Sequence, residues 1–202
     1  EPTAKRAISP LLIRRFVNLD LEKKPALRFS RDMFLLSFYL RGIPFVDLVH
    51  LRKTDVKHNT IYYYRHKTRQ QLSVHIESYA AQIINRYKNE AASSPYLLLI
   101  LSLTGEDGYR QYKSALRLYN QHLHTLSKML RLSIPLTSYV ARHSWATTAK
   151  DEGVAISVIS ESLGHTSEKV THVYLASFDN NAMSKANKKV IATIHPNKKK
   201  KP

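Results

Sequence analysis

One stretch of the chain, residues 60–76, changes the repeat of its apolar residues from the helical period to two. Ile61, Tyr63 and Arg65 alternate with Tyr62, Tyr64 and His66. After the polar stretch Lys67-Thr68-Arg69-Gln70-Gln71, Leu72, Val74 and Ile76 alternate with Ser73 and His75. A period of two sends successive side chains to opposite faces of a strand, so two such runs around a short polar turn predict a β-hairpin. The flanking segments keep the helical repeat. Ser9-Pro10 reads as an N-cap followed by proline at the first helical position, with Leu12, Phe16 and Leu19 on one face. Arg28–Leu40 is dense enough in Phe, Leu and Met for a mostly buried helix. Gly42 and Pro44 interrupt it, and Val46–Leu51 reads as a short helix. Ala80, Ile83, Ile84 and Tyr87 mark another helix. Tyr112, Leu116, Tyr119, Leu123, Leu126 and Leu130 mark a longer one, with Thr104–Gly108 read as the loop between them. Residues 138–150 and 155–163 predict two more, and Gly164 ends the second. The expected fold is mainly α with a small antiparallel β-sheet (α+β).

The 202 residues are 43% hydrophobic with only five glycines, a folding composition sufficient for one domain with a sizeable core. Lys plus Arg is 32 against 15 Asp plus Glu, a formal charge of +17. Such a surplus points to a polyanion: nucleic acid first, an anionic membrane surface second, with solubility charge alone as the plain alternative. The chain has no cysteine, which excludes disulfides, thiolate chemistry and sulfur-ligated zinc. Its longest apolar runs, Met33–Leu40 and Tyr96–Leu103, fall short of the roughly 18 to 20 residues that span a bilayer. It opens on Glu1 with no signal peptide, as expected of a piece of a longer or processed protein. Phosphate-loop, dinucleotide and zinc-protease motifs do not occur. With so few carboxylates a two-metal site is hard to assemble, and Asp47, Asp55 and Asp151 read as surface or capping residues. Chemistry on phosphodiesters would therefore draw its charge stabilisation from protein cations.

The most informative stretch is Arg142-His143-Ser144-Trp145-Ala146-Thr147. Leu163-Gly164-His165-Thr166 follows, then Tyr174, nine residues after His165. This combination resembles the catalytic domain of the tyrosine recombinases, the phage-integrase family, over Ile8 to Ile194. The resemblance extends to Arg41 in Tyr39-Leu40-Arg41-Gly42, ahead of Val46-Asp47-Leu48 and Leu51-Arg52-Lys53-Thr54-Asp55. It also covers Lys67-Thr68 at the predicted hairpin turn. The sequence is most similar to mobile-element integrases of the Bacteroidetes type. It departs at Tyr139, which takes the histidine's place in the His-x-x-Arg box. A tyrosine hydroxyl can donate a hydrogen bond to phosphate but cannot serve as an imidazolium at neutral pH. Lowered or altered activity is the expected consequence.

The resemblance implies a site-specific recombinase that uses neither metal nor cofactor. Tyr174 would be the nucleophile, Arg41 and Arg142 the clamps on the phosphate oxygens and Lys67 the general acid. His165 would bond the phosphate or help deprotonate Tyr174. Tyr139, His143 and Trp145 would contact substrate. It implies a catalytic domain over 1–183 and a basic segment over 184–202. Within that segment, Ala186–Ile194 either passes to a neighbouring protomer or packs on its own domain. The family's DNA-clamping helical domain, which normally comes first, is missing from the chain. The implied partner is double-stranded DNA, bound by a homo-tetramer and by no membrane, in the bacterial cytoplasm at the nucleoid.

Plainer readings stand beside these. Arg41 fits a phosphate-backbone contact as well as catalysis, Lys67 an ordinary turn lysine, and His165 a cap beside Gly164. His143 fits a buttress and Trp145 a core residue. Two rival functions follow: a DNA-binding regulatory module with impaired chemistry, and strand relaxation like that of a type IB topoisomerase.

Overall fold

The computed structural model describes residues 7–174, and only the backbone of 172–174. Helices α1 (Pro10–Val17), α2 (Pro25–Tyr39) and α3 (Phe45–His50) come first. A single 3-10 turn, Lys53–Asp55, leads into β1 (Val56–Lys57), β2 (Thr60–Tyr64) and β3 (Gln71–His75). Helices α4 (Ser78–Tyr87), α5 (Gly105–Met129), α6 (Val140–Asp151), α7 (Ile156–Leu163) and α8 (Glu168–Tyr174) follow. The mainly helical reading with one small antiparallel sheet holds. The expected boundary at residue 183 and the segment Ala186–Ile194 lie outside the described residues.

Helix α2 carries the core. Met33, Phe34 and Leu36 are fully buried, and α4, α5 and α6 pack around them. Asp32, also on α2, is buried and receives Arg86 at 2.6 Å and Tyr87 Oη at 2.6 Å from α4, with Arg31 at 3.0 Å. Phe45 of α3 stacks on Tyr119 of α5 at 4.5 Å between centroids. The second, smaller cluster lies between α6 and α7, where Ala146, Ile159 and Leu163 are buried against Trp145. No described helix is long and apolar enough to cross a membrane.

The hairpin has the predicted faces: Ile61, Tyr63, Leu72 and Val74 are buried, while Tyr62 and Tyr64 are exposed. Tyr63 pairs with Leu72 and Ile61 with Val74. Three features differ from the sequence reading. The sheet has a third strand, β1, joined to β2 by His58-Asn59, both left-handed at φ 48° and 56°. Two left-handed central residues match the twist of a tight hairpin, and a two-residue strand is too short to display a period. Thr104–Gly108 is not a loop. Thr104 is the N-cap of α5, and Glu106 and Asp107 occupy its first turn, where negative charge is favoured. Asp47 is neither a surface nor a capping residue but is buried in an ion pair with Arg65 at 2.7 Å. Asp55 does cap, accepting from the Arg52 backbone N–H at 2.8 Å.

Candidate active site

Two left-handed residues close α2: Arg41 at φ 57° and Gly42 at φ 70°. The Gly42 N–H bonds back to Ser37 O at 2.8 Å, and Ser37 Oγ donates to Ile43 O at 2.6 Å. Left-handed backbone costs an L-residue such as Arg41 roughly 1–2 kcal/mol. The turn brings Gly42 against α6, where a Cβ on Gly42 would lie 2.8 Å from Arg142 Cα. Arg142 is buried, and its Nη1 donates to Gly42 O at 3.0 Å. Its Nη2 donates to Leu163 O and reaches His165 Nε2 at 3.2 Å. Arg142 thus ties the end of α2 to the turn after α7.

That turn is built on Gly164, left-handed at φ 64°. The His165 N–H returns to Ser160 O at 3.0 Å, closing α7. The tautomer of His165 follows from its partners. Arg142 can only donate, so Nε2 accepts, and the ring proton on Nδ1 is donated to Thr171 Oγ1 at 2.8 Å. Burial first, then the charges of Arg142, Arg65 and Lys67, lower the ring's pKa to about 4. His165 is therefore a neutral acceptor at pH 7. The proximity of Lys67 places the hairpin turn in the same field.

Arg41 arrives with Gly42, and its Nη1 donates to Ser73 O of β3 at 3.4 Å. The buried phenol of Tyr63 lies within the same charges. Burial and Asp47 raise its pKa against the opposing pull of Arg142, Arg65 and Arg41. Lys67 is exposed at the tip of the hairpin turn. Tyr139 is the N-cap residue of α6 and 55% exposed. With Phe45, Tyr112 and Leu116 it lines a small pocket that Arg142 borders. His143 is half-buried one residue beyond Arg142, and Trp145 packs on the α6–α7 cluster. Helix α8 ends at Tyr174, whose side chain lies outside the described residues.

The structure thus brings Arg41, Arg142, His165 and Lys67 to one place, with Tyr139 at its edge. The sequence reading missed Arg65, Asp47 and Tyr63. Alternation had put Arg65 on the buried face, and a buried arginine requires a carboxylate. That signal could have found the pair. Among the described residues no group of three or more His, Cys, Asp or Glu could hold a metal ion.

The chain is similar to known proteins in sequence and in fold. A tyrosine recombinase XerA from Thermococcus kodakarensis is 28% identical over 176 residues. The alignment covers 86% of this chain and 60% of that protein, so the chain spans somewhat over half of its relative. The crystal structure of XerA recombinase superposes with a TM-score of 0.62 at 18% identity, covering 94% of this chain and 65% of that one. The Tn1549 transposon integrase in complex with transposon right end DNA gives 0.66 at 14%, covering 95% and 68%. XerH site-specific recombinase bound to palindromic difH substrate gives 0.67 at 14%, covering 90% and 52%. The family model described as the phage integrase family matches residues 21–181, and the chain belongs to that family.

Proposed function

We propose that the chain is the catalytic domain of a site-specific DNA recombinase that breaks and rejoins strands through a 3′-phosphotyrosyl intermediate, serving integration and excision of a mobile element. The observation that carries this reading is the contact of Arg142 with His165, 23 residues apart in sequence, beside the hairpin turn that bears Lys67. XerH and the Tn1549 integrase, which share the fold, are bound to DNA in their structures. The net charge of +17 suits the same partner. The protein would work at the nucleoid of a bacterial cytoplasm, as four protomers on two DNA sites.

In this reading the Tyr174 oxygen attacks a DNA phosphorus. A P–O bond to Tyr174 forms and the P–O5′ bond breaks. Lys67 gives a proton to the departing 5′ oxygen, and the Tyr174 proton passes to Nε2 of neutral His165. A 5′-OH of the partner strand later reverses the step, so bond energy is conserved in the ester. Arg41 and Arg142 offer paired donors to the non-bridging oxygens, where charge develops. A phosphate between these cations offsets the field of Arg142 and Lys67 on His165. Substrate binding thus raises the affinity of the ring for a proton at the moment one is released. Tyr139 supplies a hydroxyl at the edge of the site, and His143 and Trp145 support α6 beneath it.

The test is covalent capture. A pool of nicked duplexes randomised around the nick is incubated with the chain in EDTA and resolved on a denaturing gel. The reading predicts an adduct that Tyr174→Phe abolishes. Duplexes that bind without ever forming an adduct would instead identify a DNA-binding module. Relaxation of any supercoiled plasmid, whatever its sequence, would identify a topoisomerase-like activity.

A further inference from the structure

Three observations outside the expected site residues converge on the turn end of the hairpin. The Asp47 carboxylate grips the hairpin's end, accepting from Arg65 Nη1 at 2.7 Å and from the His66 N–H at 2.8 Å. The same Arg65 guanidinium turns its Nε to Leu163 O at 3.4 Å, the carbonyl that Arg142 Nη2 also holds. On the far side of the turn, Thr68 Oγ1 donates to Gly164 O at 3.3 Å. Lys67 is thus flanked by two residues that both fasten to the turn carrying His165. Gly164 makes the fit possible: a Cβ there would lie 3.0 Å from Leu72 Cδ1 and 3.4 Å from Arg65 Cδ.

We infer that Arg65 is a positioning residue for Lys67: it locks the lysine's turn onto the Leu163–His165 turn, which fixes the distance between the proton donor and the phosphate clamp. The inference rests on the reading of Lys67 as the acid that protonates the leaving 5′ oxygen. An exposed lysine on a free hairpin tip would sample many positions, and a misplacement of about 1 Å can cost roughly 10²-fold in rate. The planar fork of Arg65 presents Nη1 to Asp47 and Nε to the Leu163 carbonyl, two donors at a fixed separation that a single ammonium does not reproduce. Lys at position 65 keeps the charge for Asp47 and loses the second contact. Asp47 alone could not serve, because it touches the hairpin and not the His165 turn.

The experiment uses the 202-residue chain and one duplex recovered by covalent capture from the nicked pool. The duplex is made twice: with the natural bridging oxygen at the cleaved position, and with a 5′ bridging sulfur. A thiol leaves without protonation, since its pKa is about 8.5, so sulfur removes the need for Lys67. Lys67→Ala, Arg65→Lys and Thr68→Val are compared with the unaltered chain, each with a thermal unfolding curve. Lys67→Ala is expected to lose about 10²-fold or more on the oxygen substrate and to recover on sulfur. Arg65→Lys is expected to lose at least about 10-fold on oxygen, with most of the loss restored by sulfur. Equal loss on both substrates would overturn the inference, because Arg65 would then serve the fold or the phosphate clamp. No loss at all would overturn it as well. If Arg65→Lys does not fold, Thr68→Val decides by the same split: loss on oxygen restored by sulfur sustains the inference, and any other pattern rejects it. A nicked pool that binds the unaltered chain and yields no adduct at all defeats the recombinase reading itself, a result distinct from a cleaving chain with an indifferent Arg65.

Discussion

Gly42 leaves no room for a side chain. A Cβ there would lie 2.8 Å from the Cα of Arg142, and the backbone sits at φ 70°. Gly42→Ala must therefore strain the turn and push α2 away from α6. The expected result is a lower unfolding temperature with adduct formation reduced by about 10²-fold, read from one thermal melt and one capture time course. His165 makes a second prediction. Its ordinary pKa of 6.5 falls to about 4 in the fold. As pH drops, the unfolded chain takes up the proton first, so the native state loses stability between pH 6.5 and about 4. The contribution is fully present above pH 6.5. Denaturant unfolding at several pH values should show this slope in the unaltered chain and a flatter one in His165→Gln. The meeting of Arg142 with His165 was legible because the motif writes the two at a fixed spacing along the chain. Gly42, Asp47 and Arg65 were not, because their partners lie far away in sequence, and only folding reveals that Gly42 faces Arg142.

At the scale of elements, helices with a clear repeat or cap were read well, the short α1, α3 and α7 included, while β1 and the first turn of α5 were not. The periods of α2 and α5 announced themselves. The first turn of α5 was hidden by two glycines, and β1 by its length. The hairpin's alternation survived even at Arg65, a charged residue on the buried face. The link between α2 and α4 rests on Asp32, whose side chain is 1% exposed while that of Arg86 is 37% exposed. Asp32→Ala leaves Arg31, Arg86 and Tyr87 without their shared acceptor. Breaking a buried pair of this kind costs roughly 3–5 kcal/mol, and the exposure of Arg86 places the loss at the low end. Urea unfolding of the variant checks this. The active-site contacts lie on α6 and the α7 turn, so any residual adduct formation should keep its dependence on Tyr174.

For the whole molecule, +17 of formal charge sets the response to salt. The affinity for duplex DNA should fall linearly on a log–log plot, by about 0.9 for each phosphate contacted. The run Lys198–Lys201 and the lysines before it carry part of this charge. Truncation after Ser184 should make the slope shallower without abolishing binding, measured by fluorescence anisotropy at several salt concentrations. Composition already pointed to a polyanion but could not say that the chain acts on it.

The claim at the centre of this account is that Tyr174, the last residue of α8, attacks DNA. Its most direct test is mass spectrometry of the trapped adduct after digestion by trypsin and nuclease. The account predicts a nucleotide linked through its 3′-phosphate to the peptide that contains Tyr174. Linkage to any other residue, or through a 5′-phosphate, would contradict it.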